Sequence, residues 1–129
     1  MASTGLLETV NMYTRREADL TNQLSDIVLS INRASADSLK LLDKTGSEKT
    51  AVREEYEVGT DAYKDAMAKV QDDYEMSLAV INAWESELTI QKENIETQVK
   101  ATTIAKEGFQ AALKQNVTKD HQYGGSGGS

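Results

Sequence analysis

From Leu6 onward the chain returns to one side of a helix at alternating steps of four and three: Leu6, Val10, Tyr13, Glu17, Leu20, Leu24, Ile27, Ile31, Ala34, Ser38 and Leu41, most of them apolar. A helix turns once per 3.6 residues, so this spacing draws a narrow stripe that is hidden best against a partner helix. The stripe predicts a first helix over about 6–43, roughly 57 Å long at 1.5 Å per residue. Val28, Leu39 and Leu42 lie beside the stripe and widen it, giving the helix apolar surface for more than one neighbour.

The segment "DKTGSEKT" (43–50) carries a stop signal. Gly46 suits the left-handed conformation at a helix end, and Ser47 suits the cap of the next helix. "EVGTDAY" (57–63) repeats the device with Gly59 followed by Thr60 and Asp61. A turn is therefore expected over about 44–60. Gly59 reads either as a break or kink, leaving a short helix 48–58, or as a costly glycine inside a continuous helix, and the break is favoured.

A long helix is expected over about 61–116, with a second 3-4 series: Tyr63, Met67, Val70, Tyr74, Ser77, Ile81, Trp84, Leu88, Gln91, Ile95, Gln98, Thr102, Ala105, Phe109 and Ala112. Val99, Ile104 and Leu113 fall beside that series. The fold class expected is all-α, an elongated antiparallel helical hairpin or coiled coil with a long C-terminal helix, in one domain over 1–123. A compact three-helix bundle is the alternative, but it needs a turn near 84–91, where no Gly or Pro stands. In the hairpin, a first helix of about 38 residues covers the second only to about 94–98. Ile104, Phe109, Leu113 and Val117 would then lack an intramolecular partner, which makes self-association the simplest remedy.

The tail "GGSGGS" (124–129) has no side chains with which to bury area and reads as an engineered linker or fusion scar that leaves the C-terminus accessible. A net charge of −7 argues against nucleic acid, whose phosphates need clustered Lys and Arg. The densest basic spot is "TRRE" at 14–17. Membrane insertion is not expected, since no apolar run approaches the ~20 residues that span a bilayer. Without cysteine there are no disulfides, thiolate metal sites or cysteine nucleophiles. No cleavable Sec signal is visible in "MASTGLLETVNMYTRRE", so the location is left as cytoplasmic or exported by another route.

Catalytic chemistry has little to stand on. His121 is the only histidine and sits in the polar tail, where a solvated side chain is the expectation. The acidic pairs Glu54/Glu55 and Asp72/Asp73 are sequence neighbours, about 100° apart on a helix, and do not converge on one substrate atom. No phosphate-binding glycine loop and no Glu-x-x-His motif is present. The expectation is a non-enzyme with no metal or cofactor. Tyr56, Tyr63, Met67, Tyr74 and Trp84 form an aromatic and methionine stripe that reads as core or interface. The candidate assembly or partner surface comprises Leu6, Val10, Tyr13, Tyr63, Met67, Tyr74, Trp84, Ile104, Phe109, Leu113 and Val117.

The Ser/Thr-bearing N-terminus "MASTGLLETVNMYT", the glycine-containing "DKTGSEKT", the absence of Cys and Pro and a long helix ending "FQAALKQNVTK" together resemble the needle and filament subunits of type III secretion systems. The resemblance is one of architecture across the whole chain, without the proline-containing loop usual in needle proteins. It implies a hairpin of two long helices whose terminal helix packs in the wall of a helical tube. Exported hairpins with a Trp-x-Gly turn fit less well, since Trp84 stands in "AWES" inside a predicted helix. Two functions compete: a structural subunit that self-assembles through its long helices, and a coiled-coil adaptor or chaperone that accepts a helix from another protein.

Overall fold

The computed structural model describes the backbone of residues 2–127 and the side chains of residues 4–118. The chain is all-α. Two helices, α1 (Ala2–Glu55) and α2 (Asp61–Gly127), pack against each other as a helical hairpin. Every position of the first series, from Leu6 to Leu41, is buried or half-buried, with Val10, Leu20 and Ala34 the most enclosed. The heptad stripe is thus the packing seam of α1.

The first helix is longer than 6–43, and Gly46 does not end it. The seam continues through Thr45 and Val52, 5% and 8% exposed, and Lys49 Nζ donates a 2.7 Å hydrogen bond across to Gln71 Oε1 on α2. Burying a side chain the size of Val52 contributes about 1.5–3 kcal/mol. A glycine inside a helix costs about 1 kcal/mol relative to alanine. Packing outweighs the local stop signal at Gly46, so helix continues through the first part of the expected turn, to Glu55, and a separate short helix 48–58 does not form.

Chain reversal is confined to residues 56–60. Gly59 has φ +91°, the single positive φ among the described residues. The Thr60 hydroxyl accepts a 3.2 Å bond from the Tyr63 amide, and the Thr60 carbonyl accepts the Lys64 amide at 3.1 Å, which caps and starts α2. The Thr60 hydroxyl also donates to the Glu57 carbonyl at 2.7 Å, closing the turn. The two glycines should therefore respond with opposite signs. Gly46→Ala, whose new Cβ meets nothing within 4 Å, should raise unfolding free energy by about 0.4–1 kcal/mol. Gly59→Ala forces a Cβ into the left-handed region and should lower it by about 1 kcal/mol. Denaturant midpoints at one low protein concentration check both.

α2 runs unbroken through 84–91, so the three-helix alternative does not form. It also passes the expected end near Asn116, because neither Gly nor Pro stands between there and Tyr123 and Asn116 keeps a negative φ. The first residues of the proposed linker, 124–127, continue as helix; 128–129 lie outside the described residues, as does the His121 side chain.

The second series is right at Tyr63, Met67, Val70 and Tyr74 and then takes the wrong neighbour at alternate positions. The half-buried residues are Leu78, Glu85, Lys92 and Val99, where Ser77, Trp84, Gln91 and Gln98 were expected. The shared positions Ile81, Leu88, Ile95 and Thr102 remain in the seam. The step from Val70 to Tyr74 to Leu78 is four and four, which turns the buried face and carries Trp84 outward to 39% exposure.

Contacts divide the chain into two compact units: Met1–Asp26 with Lys92–Ser129, and Ile27–Gln91. Each takes a length of both helices. Two paired helices bury a row of side chains, each touching only its neighbours along that row, so there is no shared centre to join all the contacts.

Candidate interaction surfaces

In the unit containing both termini, α1 and α2 meet through an aromatic pair and a polar cluster. Tyr13 stacks on Phe109 with ring centroids 5.5 Å apart and planes 19° from parallel. One turn further along α1, Glu17 accepts the Thr103 hydroxyl at 2.7 Å and the Lys106 ammonium at 3.2 Å. Glu17 and Lys106 keep 27% and 20% of their side-chain surface. Sequence analysis placed Glu17 on the stripe without a role. The signal available was a carboxylate on a seam whose partner helix offers Thr103 and Lys106 three residues apart, on one face.

The Thr103 hydroxyl and then the Lys106 ammonium hold the Glu17 carboxyl below its ordinary pKa, against a smaller opposing effect of desolvation. A lowered folded-state pKa stabilises the fold above the unfolded carboxyl pKa, roughly 4.3, and that contribution is lost as pH falls through the folded value. Glu17→Gln should accordingly melt below wild type at neutral pH, and the gap should narrow on acidification. A gap independent of pH would contradict this role.

These contacts correct the expectation that the last twenty residues of the long helix have no intramolecular partner. Because the turn falls at 56–60, α1 supplies Tyr13 against Phe109, and Leu113 is half-buried. Val10 is buried, and Leu6, Tyr13, Tyr63, Met67 and Tyr74 are half-buried. Trp84 and Phe109 keep 39% and 36% exposure, while Ile104 at 66% and Val117 at 53% face outward. The eleven candidates thus include both seam residues and surface residues.

Two further surfaces stand out, one in each unit. In the terminal unit, Met12, Tyr13, Arg15 and Arg16 of α1 face Ala101 and Ala105 of α2 across an open groove, which Asp19 also lines. The small alanines leave the space, and the arginines place the chain's densest basic spot on its edge. In the unit nearest the turn, Met76, Val80 and Trp84 stand four residues apart on one side of α2 and are 71%, 70% and 39% exposed. Asp73 and Glu87, both exposed, continue that side at either end. Leu39 and Leu42 of α1 are also outward, at 65% and 54%.

No helix of the described residues is long and apolar enough to cross a membrane. Among the same residues, no group of three or more His, Cys, Asp or Glu is placed to hold a metal ion. No protein-family model, curated protein or solved structure matches the chain.

Proposed function

We propose that the chain is a non-enzymatic structural subunit that self-assembles through the helix faces its own hairpin leaves uncovered, in the manner of exported bacterial needle and filament subunits. The observation that supports this most is the row Met76, Val80 and Trp84, large apolar side chains aligned on the outside of α2. Scattered surface apolar residues are ordinary, whereas an aligned row containing tryptophan is the kind of surface that binds another helix. Light scattering after size exclusion, across a hundredfold concentration range, tests the reading. Growth in mass with concentration supports it. A chain that stays monomeric throughout overturns it and favours the adaptor reading, in which the same row receives a helix from a different protein.

A further inference from the structure

We propose that the groove between Met12–Arg16 and Ala101–Ala105 receives the Asp73–Glu87 side of α2 from a second copy of this chain. The proposal rests on the self-assembly reading and assigns it an interface. The groove offers what an incoming helix needs. Ala101 and Ala105 carry single methyl groups, so a neighbouring backbone can approach closely, and Met12 and Tyr13 supply apolar walls. Arg15 and Arg16 are exposed on its edge, and only Asp19 among its lining residues opposes them.

The α2 side is the complement. Met76, Val80 and Trp84 present an apolar row, and Trp84 is the sole tryptophan, a residue type enriched among interface anchors. Asp72 and Asp73 precede the row and Glu87 follows it, all exposed. In a chain of net charge −7, two copies repel on average, so a stable contact forms best where the basic spot of one meets an acidic stretch of the other. The chain itself supplies an apolar row bounded by acids and a groove edged with arginine, which makes a second copy the fitting occupant. The contact joins different surfaces on the two copies. It closes into a dimer if the same pair forms it reciprocally, and otherwise propagates.

The sole tryptophan reports the contact directly. In the full chain, emission from Trp84 should move to shorter wavelength as concentration rises, in step with mass from light scattering, and higher salt should weaken both. R15E/R16E and D72K/D73K should each raise the association midpoint about tenfold or more, while the chain carrying all four substitutions should recover toward wild type. R15Q/R16Q, which removes charge without adding acid near Glu17 and Asp19, should weaken association to a lesser degree, and circular dichroism of every variant checks that the helices are kept. If wild type associates but the charge variants associate equally well, this interface is wrong and the self-assembly reading stands. If wild type remains monomeric with constant emission, both fall.

Discussion

Leu88→Ala is expected to lower the unfolding free energy by about 2–4 kcal/mol, with a fall in melting temperature on the order of 10 °C. Leu88 is 8% exposed at the middle of the α2 seam, so truncation removes apolar area from burial and leaves a void against α1. The control is a leucine of identical chemistry in a different place. Leu39 is 65% exposed, and Leu39→Ala should change stability by no more than about 0.5 kcal/mol. Thermal melts and denaturant titrations at one low concentration separate the two, since any association would add its own stabilisation. Equal costs at both positions would mean that the seam is not where the stability lies.

The second large effect comes from adding atoms. Ala34 has no exposed surface at all, the most enclosed side chain described. A seam closes to the separation its smallest residues permit, and Ala34 marks such a close approach. Ala34→Leu inserts three carbons where the helices meet and should cost about 1–3 kcal/mol through displaced neighbours. A hydrophobicity argument alone predicts the reverse sign, because leucine is the more apolar residue and an excellent helix former. Denaturant midpoints decide the matter. A more stable A34L protein would show that the helices part without strain at this level.

Much of this architecture is legible in the amino-acid order, and the misses have identifiable physical causes. The α1 stripe was readable from Leu6 to Leu41 because a 3-4 repeat over five heptads leaves a helix one way to be buried. The break at Gly59 and the start of α2 at Asp61 were legible, but the turn was begun too early because Gly46 and Ser47 carry a strong local signal, while what overrides it, burial of Thr45 and Val52 and the bond from Lys49 to Gln71, requires knowing the opposite helix. That displacement alone altered the expected fate of Phe109 and Leu113, since a later turn lets α1 reach them. Trp84 was assigned to the seam because it is apolar and falls on the 3-4 count. Its neighbour Glu85 is the half-buried one, and no inspection of α2 by itself chooses between the two. The contact of Glu17 with Thr103 and Lys106 was out of reach for a related reason: it spans most of the chain, and the register that creates it follows from the turn.

The four-and-four step at Val70, Tyr74 and Leu78 has a mechanical consequence. A strict seven-residue repeat lags a straight helix by roughly 20° each time, and paired helices absorb the lag by winding around each other with a left-handed sense. Taken from Met67, the spacings three, four and four make eleven residues, about 3.67 per turn, which lies on the other side of 3.6 and favours winding of the opposite hand. Within the unit nearest the turn, α2 thus pays back accumulated rotation over one short stretch. Torsional relief and the outward-facing Trp84 have the same origin, so removing the step to restore uniform heptads would both tighten the winding and draw the tryptophan back toward the seam.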